Sequence, residues 1–389
     1  MKRELGQALD RLRDEQHTIT PKVLRALSDL SRSELHALQA TWGQISTKRR
    51  HALLAGLIAY AEEHIEVSYN PFLRWLLRDD DPVIRRMTIT GLWEDNDEAL
   101  VGLLVPILLS DPASDVRANA ADALGRFVLL GELGEIPPET ESRAVETLRA
   151  SLDSPAEVMA VRRLAVEAIA YASDPDVRSI ISRAYVDSDA AMRVSAVRAM
   201  GNTGDDYWWP QIQTELNNAT PTMRAQAAYA AGELEATAAL PQLVRLVDDP
   251  EEEVCVAAAR ALGYIGGSRA RQALLKLAQS SDQLLREVAR EALSELEFAT
   301  VASLTELLDD SAIDADTEVV MAEDDGLTDE DDGLTDEGDE LIDDELAWDD
   351  EDSWDSEDAW DSENWEAGAD DEESFDDADD FDDDTAWHR

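Results

Sequence analysis

Apolar and polar positions along this chain fall into blocks that fit short amphipathic helices, and the blocks are keyed to a recurring arginine. With the Arg of Met223 to Gly232, MRAQAAYAAG, as a mark, equivalent positions are Arg50, Arg85, Arg117, Arg162, Arg193, Arg224, Cys255 and Arg286, the last five each 31 residues apart. Positions three, four, six and seven after the mark are small or apolar. They read Ala120, Ala121, Ala123, Leu124 in one block, Ala227, Ala228, Ala230, Ala231 in a second and Ala258, Ala259, Ala261, Leu262 in a third. These offsets share one helical face, and small residues there let neighbouring helices approach closely. Gly125, Gly201, Gly232 and Gly263 come next and read as left-handed helix ends. A turn rich in Asp and Pro precedes each block, as in DDDP at Asp79 to Pro82, SDPASD at Ser110 to Asp115 and DDP at Asp248 to Pro250. Asp and Ser suit the orphan amides of the following helix, and Pro stops the preceding one. The unit is therefore an A helix, a turn and a B helix that begins near the mark.

A unit of this size cannot bury its own apolar face, so the units must stack into a solenoid. Stacking is expected over residues 67–308, in about seven units with Phe298 to Leu308 as a final capping helix. Residues 1–66 read as an irregular helical N-terminal cap: Leu5, Leu9 and Leu12 mark one face, Thr20 and Pro21 make a helix start, and the Arg50 block fits the register loosely. The interval from Arg117 to Arg162 is 45 residues, 14 more than the period, and Leu130 to Glu141, LGELGEIPPETE, reads as a loop holding the excess.

The pattern D-D-P-x-x-x-V-R-x-x-A-A-x-A-L-G, carried with changes by Asp248 to Gly263 and Ser110 to Gly125, resembles HEAT repeats. Its 31-residue form is similar to the phycobilisome-lyase HEAT-like subgroup. The resemblance implies an all-α, right-handed α-solenoid of HEAT-like helical hairpins. It also implies an internal ladder in which Arg85, Arg117, Arg162, Arg193, Arg224 and Arg286 meet turn Asp or carbonyl groups of adjacent units. Cys255 departs from that pattern. For function the subgroup is unspecific, since it includes lyase subunits, hydroxylases and scaffolds.

Charge changes the picture beyond residue 308. The whole chain carries −54, of which residues 309–389 hold −39, with 40 acidic residues against one Arg. This segment is too charged and too poor in apolar residues to offset the entropy of ordering, and is expected to be disordered. Yet Trp348, Trp354, Trp360 and Trp365 are spaced by six, six and five residues, and, after a gap of ten, Phe375, Phe381 and Trp387 by six and six. Trp is costly to expose and tends to anchor interfaces, so these rings read as partner-binding anchors flanked by carboxylates. The alternative is a solubilising bristle with incidental aromatics. Trp208 and Trp209 form a second candidate, because adjacent side chains on a helix start cannot both face the core.

A polyanion repels nucleic acid and anionic lipid, which favours a basic protein partner over direct nucleic-acid or membrane binding. One cysteine excludes an intrachain disulfide framework, and charges throughout the first 16 residues exclude a secretory signal, so a cytoplasmic protein is expected. None of the five histidines, His17, His36, His51, His64 and His388, lies in the repeats after residue 66, and no His-Glu pair is present. The di-iron centre of HEAT-like hydroxylases is therefore not carried over, and no metal, cofactor or catalytic residue is assigned. Cys255 reads as structural, and GYIGG at 263–267 as a turn. The expectation is a non-catalytic scaffold that binds protein partners on the solenoid surface and uses the acidic aromatic tail to bind or shield a basic one. A chromophore lyase or lyase subunit, a nucleic-acid mimic, and docking of the tail on its own solenoid stay open.

Overall fold

The computed structural model describes residues 3–298, and these form helices and turns with no strand among them. The final capping helix expected to Leu308 and the acidic segment 309–389 lie outside the described residues beyond Phe298.

Four helices open the chain: α1 (Arg3–Arg13), α2 (Pro21–Arg25), α3 (Arg32–Trp42) and α4 (Thr47–Glu63). Leu5, Leu9 and Leu12 are buried as their spacing requires. Ser31 and Glu34 close a reciprocal capping box on α3. Thr20 does stand at the N-cap of α2, but its hydroxyl caps nothing and is buried without a partner. Trp42 ties this region to the array: its indole N–H donates to Asp79 at 2.6 Å, its ring meets Phe72 edge-on, and Arg50 lies over it at 5.3 Å. The loose fit of the Arg50 block has its cause here, because an indole takes the turn Asp that later units offer to arginine.

Seven A–B pairs follow. They are α5 (Asn70–Leu76) with α6 (Pro82–Gly91), α7 (Val101–Ser110) with α8 (Ser114–Glu132), and α9 (Pro138–Asp153) with α10 (Met159–Ile169). Next come α11 (Val177–Tyr185) with α12 (Ala190–Asn202), α13 (Trp209–Glu215) with α14 (Pro221–Glu233), α15 (Leu240–Leu246) with α16 (Glu252–Ile265), and α17 (Gly267–Leu277) with α18 (283–298). Single 3-10 turns at Glu98–Leu100, Asp206–Trp208 and Thr237–Ala239 lead into α7, α13 and α15.

The turns share one device. The residue six before the mark, namely Asp79, Asp111, Asp187, Asn218, Asp249 or Ser280, accepts through its side-chain oxygen the amide two residues on, at 2.8–3.1 Å. This satisfies an amide at the helix entry and fixes the turn locally. The Arg162 unit lacks it: Ala156 occupies the equivalent place, and Glu157 instead accepts the Val158 amide.

The glycines do other work than the repeat pattern suggests. Gly125, Gly201, Gly232 and Gly263 sit inside their helices, with no left-handed backbone. Each lies eight residues after its mark and faces the alanine six after the next one: Ala168, Ala230, Ala261 and Ala292. A β-carbon there would come within 2.6–3.1 Å of the opposing Cα. The first interface reverses the roles, with Gly91 packed on Ile58. The left-handed helix exits lie three residues later, at Gly204, Glu235 and Gly266. Successive B helices make more extensive contacts with one another than successive A helices do, so the B helices form the tighter, inner layer.

The 14 extra residues are not a loop. They lengthen α8 and α9 to 19 and 16 residues, leaving a connection of only 133–137. Gly131 lies inside α8, with Glu141 packed where its β-carbon would stand, and the second of the two prolines, Pro138, is the first residue of α9. Glu132 bridges onward, accepting from both the amide and the hydroxyl of Ser173.

Candidate protein-binding surface on the inner helix layer

The marker residues are held fast. Arg85, Arg193, Arg224 and Arg286 each donate through Nη1 to the carbonyls six and five residues earlier, at 2.8–3.1 Å. Arg117 donates to the carbonyl six before it, and the thiol of Cys255 does the same at 3.1 Å. Three marks also reach forward into the next turn with a two-pronged ion pair: Arg85 to Asp111, Arg117 to Glu157 and Arg224 to Asp249. Burial raises the pKa of Cys255, consistent with an inert thiol. Arg162 is the exception, its Nε buried without a partner next to the turn that lacks the side-chain cap. Since their hydrogen-bonding capacity goes into the fold, the paired arginines offer little to a ligand.

A different register faces outward from the inner layer. Positions five and nine after the mark are Asp122 and Arg126 on α8, Glu167 on α10 with Tyr171 in the turn just after it, Arg198 and Asn202 on α12, and Tyr229 and Glu233 on α14. They link unit to unit. Arg198 Nε pairs with Glu167 at 3.3 Å, its guanidinium lies 4.3 Å over the Tyr229 ring, and Nη1 donates to Gln226 at 3.4 Å. The Tyr229 hydroxyl donates to Asn202 at 3.0 Å, and Asn202 in turn donates to the Glu167 carbonyl at 3.0 Å. Arg163 donates to Ser195 alongside.

Electrostatically this strip is strained. Desolvation pushes the carboxyls of Asp122, Glu167 and Glu233 above the ordinary range, against the pull of Arg198 on all three. Asp122 and Glu233 are exposed side chains and Glu167 is half-buried, so desolvation at the first two reflects the density of protein around them rather than enclosure, and Glu167 is the carboxyl on which it bears most directly. Burial likewise raises the Tyr171 and Tyr229 phenols. It holds Arg126 below the usual guanidinium value, with Nη2 on the Leu92 and Asp95 carbonyls and Nε without a partner. Titratable groups pushed this way by desolvation cluster at functional sites. Sequence reasoning passed the strip over, since polar residues on a repeat helix look like an ordinary solvent face. The available signal was that offsets five and nine place acid, base and tyrosine in turn along four consecutive B helices.

Of the tryptophan pair, Trp208 is 2% exposed and belongs to the core, with its indole N–H unpartnered, so it has no face to offer a partner. The 3-10 turn Asp206–Trp208 rotates Trp208 inward and leaves Trp209 half-buried on the core edge. The exposed ring is Tyr207, stacked edge-on against Trp208 and covered by Arg178 at 4.8 Å. The anchors Trp348, Trp354, Trp360, Trp365, Phe375, Phe381 and Trp387 lie outside the described residues. Among the described residues no group of three His, Cys, Asp or Glu is placed to hold a metal, and no helix is long and apolar enough to cross a membrane.

Stacked helical hairpins with buried turn arginines define a helical-repeat solenoid. Residues 70–160 and 210–294 match the family model for HEAT repeats, so the chain carries HEAT repeats. The unmatched stretch between them contains Arg162, Glu167 and Arg198. The chain is similar to the uncharacterized phycocyanin operon protein Z of Pseudanabaena tenuis (strain PCC 7409), 29% identical over 166 residues, which is 42% of this chain and 78% of that protein. Among solved structures it is similar to the complex of CpcE and CpcF of phycocyanin lyase from Nostoc sp. PCC7120, with 19% identity and a TM-score of 0.39 over 58% of this chain and 93% of that one. Human deoxyhypusine hydroxylase in complex with glycerol is also similar, with 21% identity and a TM-score of 0.32 over 76% of this chain and 96% of that one.

Proposed function

We propose that this chain is a non-catalytic scaffold that binds a protein partner along the inner face of α8, α10, α12 and α14, with the acidic aromatic segment 309–389 capturing or shielding basic proteins. The observation that carries the reading is the strip Asp122–Glu167–Arg198–Tyr229–Glu233. It combines Arg and Tyr, the side chains enriched at binding hot spots, with carboxylates already partly stripped of water. A Lys or Arg of a partner laid on this strip would supply the counter-charge that desolvation makes the carboxylates lack, at little further desolvation cost. The partner is therefore a protein segment with basic side chains. Affinity purification from the source cell tests this with wild type and the double variant Glu167→Gln/Glu233→Gln. Specific loss of a basic protein from the variant supports the reading, and an unchanged partner set contradicts it.

A second reading rests on the 29% identity with a phycocyanin operon protein: the partner is a phycocyanin subunit, and the chain serves as a lyase subunit. Purified chain mixed with apo-phycocyanin subunit and free tetrapyrrole tests it, by co-elution and by growth of a protein-bound visible absorbance that requires this chain.

A further inference from the structure

A groove of about 1710 Å³ opens between α1, α2 and α4 at the N-terminal end of the inner layer. Its floor is apolar. At the offsets where later B helices carry the charged strip, α4 presents Ala55 and Ala59, with Ala52 one turn earlier and Ile19 and Met87 also lining the groove. Its rim is basic in a chain that is otherwise acidic: Arg11, Lys22, Arg25, Lys48 and Arg49 line it against the carboxylates Glu4, Glu15 and Glu63.

These bases are also under-used. Elsewhere in the array arginines are taken up by turn carboxylates, as in Arg74 with Asp95, Arg149 with Asp174 and Arg178 with Asp205. Around the groove, no carboxylate among the described residues pairs with Arg11, Lys22 or Lys48. Arg25 has only a 3.8 Å exposed contact with Glu66, and Arg49 spends its donors on the neutral carbonyls of Leu12, Arg11 and His17. Of the four lysines in the chain, Lys2, Lys22 and Lys48 fall within the first 50 residues, while Lys276 is already paired with Asp248.

We propose that this groove is the docking site of the chain's own segment Asp344 to Trp387, with an aromatic ring on the alanine floor and flanking carboxylates on the basic rim. Charge complementarity selects this occupant, because Trp348, Trp354, Trp360 and Trp365 each stand among Asp and Glu. The dimensions agree. An extended chain covers about 20 Å between aromatics six residues apart, and the 17 residues of α4 span about 25 Å. Reach is sufficient as well. From Phe298 to Trp348 is 50 residues, about 40 Å as an unstrained coil but up to about 165 Å when extended, a state that self-repulsion of the acidic chain favours. The seven steps from α4 to α18 come to about 70 Å at roughly 10 Å each. Tethering then keeps the local concentration of the segment high without any added contact. Docking in this way would withdraw the tail from basic partners until one competes for it. The inference does not depend on the inner strip as a partner site.

The test is zero-length carbodiimide cross-linking of the full chain at low concentration, read by peptide mass spectrometry, for wild type, Ala55→Trp, and Lys22→Gln/Lys48→Gln. The expected result is intramolecular links from Lys22 and Lys48 to carboxylates of 344–387, concentrated beside particular Trp residues. Their yield should fall about tenfold at 1 M salt, where the Debye length is near 3 Å, and comparably in Ala55→Trp, which fills the floor without changing charge. In Lys22→Gln/Lys48→Gln, fluorescence of the tail tryptophans should shift to that of solvent-exposed indole. Three outcomes overturn the proposal: links spread evenly along 309–389, links unaffected by Ala55→Trp, or links found only between two copies of the chain.

Discussion

Gly201 of α12 meets Ala230 of α14 so closely that a β-carbon on the glycine would stand 2.6 Å from the Ala230 Cα. That contact sets the spacing of two consecutive repeats, and it makes a counter-intuitive demand on mutation. Alanine is favoured over glycine inside a helix by about 1 kcal/mol. Here Gly201→Ala is expected to destabilise by about 1–3 kcal/mol instead, because backbone, not a flexible side chain, occupies the space. Gly102 of α7 has only the far end of Arg143 within 4.0 Å, so Gly102→Ala should be neutral or stabilising. Denaturant midpoints of the two variants decide the matter.

The pair Arg224–Asp249 closes the ladder between α14 and the next turn, with side chains 13% and 8% exposed. Breaking it from one side leaves a nearly buried carboxylate without its counter-charge, and Arg224→Met is expected to cost about 3 kcal/mol. Asp249→Asn keeps the acceptor for the Glu251 amide and should cost less. The double variant should be more stable than additivity predicts, a coupling that urea unfolding of the four proteins would reveal.

Two groups of carboxyls give stability opposite pH slopes. Desolvation raises the Asp249 and Glu157 pKa values, but hydrogen bonds from Arg224 and Arg117 and from backbone amides outweigh it, so both end below the ordinary range. A carboxyl whose folded pKa is depressed stabilises the fold above its unfolded value of about 4 and loses that contribution as pH falls through the folded value. In Asp122, Glu167 and Glu233 desolvation by the surrounding protein raises the folded pKa, although Asp122 and Glu233 stay exposed. These cost nothing below about pH 4, and stability falls as pH rises from there through the raised values. Glu167→Gln should flatten that second slope and leave the acid limb unchanged. Thermal melts across pH 3 to 8 would show either result.

Glu235 holds a left-handed backbone, φ 46°, at the helix exit where the adjacent units use Gly204 and Gly266. Its amide still closes the turn on the Gly232 carbonyl at 2.8 Å. A residue with a β-carbon is disfavoured in that conformation by about 1 kcal/mol, so Glu235→Gly should stabilise by roughly that amount. A rise in melting temperature would bear this out, and a fall would mean the Glu235 side chain contributes more than its backbone costs.

How much could be read from residues alone differs along the chain. The unit and its period were legible because each depends on residues close in sequence: the mark, the turn six residues back, and the small residues six and seven ahead. The arginine ladder came only from the family resemblance, which put the carbonyls in adjacent units, whereas Arg85, Arg193, Arg224 and Arg286 bind those of their own turn. Gly125 and its counterparts misled because a glycine near a helix end looks the same whether it turns the backbone or admits a neighbour, and only the opposing Ala168 distinguishes the two. The stretch around Gly131 misled for a similar reason. Glycine and two prolines suggest a loop, yet Gly131 makes room for Glu141, and Pro138 begins a helix. The inner strip was not legible because Glu167 is desolvated by the packing around it and relieved by Arg198, a partner 31 residues further along the chain that only the stacking brings near.

Photo-cross-linking in the source cell tests the central claim most directly, with a photoreactive residue placed in the full chain either at Tyr229 on the inner face or at exposed Leu275 on α17 of the outer layer. The account predicts a discrete protein adduct from position 229, lost when Glu167→Gln/Glu233→Gln is added, and none from position 275. Adducts from position 275 alone, or from both positions without regard to the carboxylates, would contradict it.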